Sequence, residues 1–84
     1  MLVPTVKFFA TLRKATGEAS YQSSARNVAE VLKEVGERYG EGVSRYLRNV
    51  TVLVNGRHIG YLKGKRTRLE PGDEVSLFPP VAGG

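Results

Sequence analysis

The group in this chain best suited to covalent chemistry is not a side chain. The sequence closes on Phe78-Pro79-Pro80-Val81-Ala82-Gly83-Gly84, which offers an α-carboxylate at Gly84 on a thread without side chains. Glycine has no Cβ and adopts nearly any φ/ψ, so such a thread can enter a channel too narrow for other residues. Pro79 and Pro80 fix φ and bias the preceding chain toward an extended polyproline II path. A stiff stalk with a slim, reactive end is the form expected of a protein used through its own terminus.

Little else could carry a reaction. The chain has no cysteine and one histidine, His58, which removes disulfides, thiolate nucleophiles and thiolate metal sites and disfavours an acid–base pair. His58 reads as a surface residue. Eighty-four residues with 40% apolar content make one small globular domain. No apolar run approaches the length of a membrane span, and the opening Met1-Leu2-Val3-Pro4-Thr5-Val6 lacks the pattern of a cleaved leader. A cytoplasmic protein without membrane association is expected.

A net charge of +5 and a pI near 9.9 raise nucleic acid as a partner. The basic residues are spread along the chain, however, with one cluster at Lys63-Gly64-Lys65-Arg66-Thr67-Arg68 that reads as a solvated loop. No RNA-recognition signature with interleaved aromatics accompanies it, so nucleic acid is disfavoured. A basic surface that steers an acidic protein partner fits the charge equally well.

The elements that must position the tail follow from pattern. Thr5–Ala10 alternates as a strand, with Val6, Phe8 and Ala10 on one face and Lys7 and Phe9 on the other. Thr11–Gly17 reads as a loop or short helical turn with Gly17 at a left-handed exit, and Glu18–Ser23 as a weaker strand paired back on the first. Asn27 is a preferred N-cap, with Glu30 at capping-box spacing. The apolar positions Val28, Val31, Leu32, Val35 and Tyr39 then mark one buried face of a helix over 28–39, ended by Gly40. Gly36, costly within a helix, suggests close approach of a strand.

Residues 41–48 are ambiguous, with one more helical turn possible. A strand over 49–54 points Val50, Val52 and Val54 inward, and Asn55-Gly56 predicts a type I′ hairpin into a returning strand over 57–61. Glu70-Pro71-Gly72-Asp73 predicts a type II turn that launches a last strand over 74–78, with Val75 and Leu77 buried. One helix cannot cover both faces of a sheet, so the order predicts an α+β roll with one face open. The alternation leaves Phe9, Leu53 and Phe78 on that open face as a candidate binding patch.

Five segments occur in the order and spacing of the MoaD/ThiS sulfur-carrier family. They are Val6–Arg13, Asn27–Leu32, Val52–Gly56, Leu69–Val75 and Phe78–Gly84. The chain resembles that family over nearly its whole length, and its Phe-Pro-Pro-Val-x-Gly-Gly ending resembles the MoaD branch. The resemblance implies a ubiquitin-like β-grasp domain over 1–78, with a mixed sheet of four to five strands on one main helix and the last strand parallel to the first. Residues 79–84 would be an extended reactive tail.

It also implies a non-enzymatic carrier that binds no cofactor or metal itself. A MoeB-like adenylating enzyme would use ATP to activate Gly84, and a sulfur donor would convert the adenylate to a thiocarboxylate. A MoaE-like large subunit of molybdopterin synthase would then pass the sulfur to a pterin precursor. An α-carboxylate, ionised at neutral pH, can attack the α-phosphate of ATP, and AMP is then a good leaving group.

Carried over by position, Gly84 holds the adenylate and then the sulfur, and Gly83 is the narrow link. Pro79, Pro80, Val81 and Ala82 form the docked stalk, and Phe9, Leu53 and Phe78 form the partner face, with Arg13 beside it. Lys14, where the family often has an acid, and His58, where it often has an apolar residue, depart from the pattern. The alternative is a ubiquitin-like modifier joined to substrate lysines through Gly84.

Overall fold

In a computed structural model, residues 3–80 are described; Val81, Ala82, Gly83 and Gly84 lie outside them. The strands are β1 (Thr5–Phe8), β2 (Ser20–Gln22), β3 (Thr51–Val54), β4 (Arg57–His58) and β5 (Glu74–Phe78), and the helices are α1 (Thr11–Thr16), α2 (Val28–Tyr39) and α3 (Glu41–Ser44). They form one sheet of order β2-β1-β5-β3-β4. β1 and β5 run parallel at its centre, with Val6 opposite Val75 and Phe8 opposite Leu77. The other pairings are antiparallel. This is the β-grasp topology that the resemblance implies.

The alternation in β1 and β5 buries Val6, Phe8, Val75 and Leu77 completely, against Val28, Val31 and Val35 of α2. Burial of this apolar face is what holds helix to sheet, at roughly 1.5–3 kcal/mol per large side chain. The ends of α2 are set as expected: Asn27 Oδ1 accepts the Glu30 N–H at 2.8 Å, and Gly40 leaves with φ 79°. The reciprocal arm of the cap lands one residue earlier, where Glu30 Oε1 accepts the Arg26 N–H at 2.8 Å.

A polar layer joins β2 and α2. Phe8, Tyr21 and Tyr39 pack as an aromatic cluster, Tyr21 donates to Glu34 and Tyr39 donates to Glu18, each at 2.5 Å. Burial first, and then the carboxylate partner, pushes both phenols above their ordinary range.

Several expectations shift. β1 stops at Phe8, and Ala10 is exposed with φ 54°, because the chain there turns into α1 instead of continuing the pleat. Gly36 faces α3, not a strand: a Cβ there would touch Ser44 Oγ at 3.4 Å. Residues 41–47 resolve into α3 and a 3-10 turn, Arg45–Leu47, that lay Val43 into the core. β3 starts at Thr51, leaving Val50 half-buried against the core. The returning strand shortens to β4 and gives way to a 3-10 turn, Ile59–Tyr61. Both predicted turns form: Asn55 and Gly56 have φ 52° and 82°, and Gly72 has φ 89°.

Candidate functional site

Phe9 and Phe78 meet on the open face of the sheet. Their rings stack with centroids 4.4 Å apart and planes 11° from parallel. The backbone dictates this contact. The Phe9 N–H donates to the Leu77 carbonyl at 3.2 Å, carrying the parallel ladder one residue past β1, and Phe8 stands opposite Leu77. Phe9 and Phe78 therefore emerge side by side on the face away from α2. Both are half-buried, sharing surface with one another and leaving the rest to solvent. Such a pair gains about 0.5–1.5 kcal/mol beyond its area burial.

Arg13 is brought to the same place by α1. Leu12 is fully buried and anchors the short helix, and Gly17 ends it in the left-handed conformation at φ 74°. One turn in, Arg13 Nε donates to the Phe8 carbonyl at 3.3 Å. Its guanidinium carbon lies 5.9 Å from the Phe9 ring centroid, within cation–π range. Ala10, the hinge between Phe9 and α1, holds φ 54° and ψ −130°, a conformation that L residues rarely adopt and that costs on the order of 1–3 kcal/mol. The strain reverses the chain sharply enough to set Arg13 back against Phe9.

Leu53 shares the face but not the stack. It stands opposite Ser76 on one side and His58 on the other, while Thr51 stands opposite Phe78. Leu53 is therefore a diagonal neighbour of Phe78, half-buried, extending the patch toward β4. Toward the opposite end of the face, Lys7 Nζ and Glu74 Oε1 form an ion pair at 2.5 Å. Pro79 is half-buried and Pro80 exposed, and they follow directly from Phe78. The tail thus takes off from the aromatic pair itself. Gly83 and Gly84, with Val81 and Ala82, lie outside the described residues.

Among the described residues no group of His, Asp and Glu could hold a metal ion. A hollow of about 480 Å³ lies on the other edge of the molecule between β2 and α2, lined by Tyr21, Ser23, Glu34 and Arg38 among others. Within it Tyr21 donates to Glu34. Hydrogen bonding to Tyr39 is the largest influence raising the Arg38 guanidinium further above its ordinary range. His58 Nδ1 accepts the Gly60 N–H at 2.8 Å, which holds its ring beside the turn, and in the ladder it stands opposite Leu53. What the open face can do chemically is bind, and direct a terminus.

Comparison with known proteins agrees with this architecture. Residues 6–84 match the ThiS family. Small archaeal modifier protein 3 of Haloferax volcanii is 38% identical over 94% of this chain and 96% of its own. The solution structure of small archaeal modifier protein 1 from Methanosarcina acetivorans superposes with a TM-score of 0.83 at 29% identity, covering 100% of this chain and 99% of the other. A chain of the complex of subunits 1 and 2 of the molybdopterin-converting factor from Helicobacter pylori superposes with a TM-score of 0.70 at 27% identity, over 96% of this chain and 97% of that one. With a matching pattern over almost every residue and the β-grasp sheet beneath it, this chain belongs to the ThiS family of small ubiquitin-like carrier proteins.

Proposed function

We propose that this protein is a sulfur carrier activated at Gly84 and that it serves as the small subunit of a molybdopterin synthase. The observation that carries the reading is the continuity of the Phe9–Phe78 stack with Pro79 and Pro80. A partner that seats on the stacked rings receives the tail in a fixed direction. In the first step the Gly84 carboxylate attacks the α-phosphate of ATP on a MoeB-like enzyme and pyrophosphate leaves. Hydrosulfide, or a persulfide whose S–S bond a second thiol then reduces, attacks the acyl carbon, AMP leaves, and a thiocarboxylate remains. Gly83 and Gly84 thread the partner's channel because they have no side chains to exclude.

Phe9, Leu53 and Phe78 form the apolar centre of the docking face, Arg13 its rim, and Pro79–Ala82 the stalk. A MoaE-like large subunit accepts the sulfur for a pterin precursor. The likeness to one chain of the Helicobacter pylori complex supports this partner. The similarity to small archaeal modifier protein 3 favours a second reading, in which a lysine amine of a target protein displaces AMP and an isopeptide bond forms.

One experiment separates them. The full chain is incubated with ATP, an adenylating enzyme and a sulfur donor, and its intact mass is measured. The carrier gains the mass difference of one sulfur replacing one oxygen. The modifier instead appears on target lysines after trypsin as a branched Leu69–Gly84 remnant, because no Lys or Arg follows Arg68. Neither product, with the enzyme shown active on another carrier, would sink both readings.

A further inference from the structure

The chain carries 13 Lys and Arg against 8 Asp and Glu. Arg57, Lys63, Lys65, Arg66 and Arg68 fall in the segment 57–68, which contains no carboxylate. The rest of the sequence is balanced, so the excess of +5 resides in this one segment. The fold then gathers it along one edge. β4 is the outer strand on the side opposite β2, and the 3-10 turns Ile59–Tyr61 and Gly64–Arg66 fold the segment back on itself. Thr67 holds it closed, accepting the Lys63 N–H at 3.1 Å and donating to the Gly64 carbonyl at 2.6 Å. A bridge between Asn27 and Arg68 ties it to the start of α2.

All five cations are exposed. The ion pairs among the described residues are Lys7–Glu74 and Arg38–Glu18, so none of the five is neutralised by one. Of the carboxylates that follow the segment, Glu70 is exposed and forms no ion pair with the five, and the next two are occupied elsewhere. Asp73 accepts from the Asn55 side chain and the Glu70 N–H, and Glu74 pairs with Lys7. Within this cationic edge stands Tyr61, 85% exposed, the one large hydrophobic side chain among the described residues left so open. The His58 ring meets it edge-on, with centroids 6.4 Å apart. Two adjoining hollows of about 420 and 330 Å³ share Leu62, Thr67 and Arg68, one bounded by Tyr61 and the other by Arg57.

We propose that this edge binds single-stranded RNA, with a base on the Tyr61 ring and the phosphates passing Lys63, Arg68 and Arg57. An acidic polypeptide would gain from the cations and could pack an apolar side chain on the ring, but it does not offer a stacking face and a charge together at every unit. A nucleic acid strand uses both, because every base has a π-face and every linkage a charge. Accessible, unpaired bases are chiefly a property of RNA loops and ends. The surface does not include the Phe9–Phe78 stack, although His58 stands opposite Leu53 at its margin, and it draws on nothing in the tail's chemistry.

The test measures fluorescence anisotropy of labelled 12-nucleotide oligouridine, oligothymidine and an oligoglutamate peptide with the full chain at low and high salt. Contacts to about 3–5 phosphates predict that RNA affinity falls about 20- to 100-fold between 50 and 200 mM salt. Tyr61→Ala should weaken RNA binding about 5- to 100-fold at fixed salt, while Tyr61→Phe retains it. Lys63→Gln should reduce the salt slope by about 0.7. Amide shifts on titration should fall in 57–68 and spare Phe9 and Phe78, and deletion of Gly83 and Gly84 should change nothing. No binding at the lower salt, oligoglutamate bound as tightly as RNA with Tyr61→Ala without effect, or a clear preference for oligothymidine would each overturn the proposal.

Discussion

Phe9 and Phe78 carry the proposed docking function at a cost the fold can bear. Their rings are half-buried against one another rather than set in the core, so Phe78→Ala removes the stack and the buried half of one ring. Thermal unfolding should show a loss of about 1.5–3 kcal/mol. Affinity for a synthase large subunit or an adenylating enzyme, read by calorimetry, should fall by about tenfold or more, as expected for an aromatic anchor at an interface centre. A variant that keeps full affinity would place the partner face elsewhere.

The residues themselves were legible in the sequence, since alternation alone sends Phe9 outward while Val6 and Phe8 go in. Their stacking was not. It depends on the parallel register of β1 with β5, a tertiary fact that no local pattern encodes. Ala10 was misread for a related reason. Alternation runs on through it, but its φ of 54° takes it out of the pleat, at a position where composition would lead one to expect glycine.

At the scale of elements, the polar layer between β2 and α2 makes stability sensitive to alkali. Tyr21 and Tyr39 have folded-state values above the ordinary 10.0 of the free phenol. Their contribution is therefore fully present below about pH 10 and is lost as pH rises through the higher folded values. Urea unfolding from neutral pH to about pH 11 should show the wild type losing more stability at the alkaline end than Tyr21→Phe/Tyr39→Phe. The double variant should begin lower by about 1–3 kcal/mol, for two hydrogen bonds to carboxylates on a partly exposed surface. Parallel curves for the two proteins would refute the assignment.

Helix α2 was legible to the residue, because a cap, an apolar stripe and a terminating glycine all point to the same bounds. The segment 41–61 was less so. Short 3-10 turns have no period long enough to read, and β4 ends after two residues once Gly60 lets the chain curl under His58.

For the molecule as a whole, the core is complete before the tail begins. Val75 and Leu77 are fully buried, and Pro79 and Pro80, the described residues beyond Phe78, add no strand. Removing 79–84 should leave the unfolding midpoint in denaturant unchanged, within about 0.5 kcal/mol, while abolishing adenylation. A large drop in stability would mean that the tail belongs to the fold. The same scale shows where reading residue by residue failed on charge. The thirteen cations look dispersed as a list, yet subtracting the carboxylates segment by segment leaves one edge bearing all of the excess.

The parallel pairing of β1 with β5 has a mechanical consequence. Tension applied between the amino terminus and a cargo held at Gly84 would pull these two central strands past each other along their length. Every rung of the ladder would then bear load together, instead of parting one after another as in an unzipped hairpin. A machine dragging on the cargo would meet the stiffest direction of the molecule.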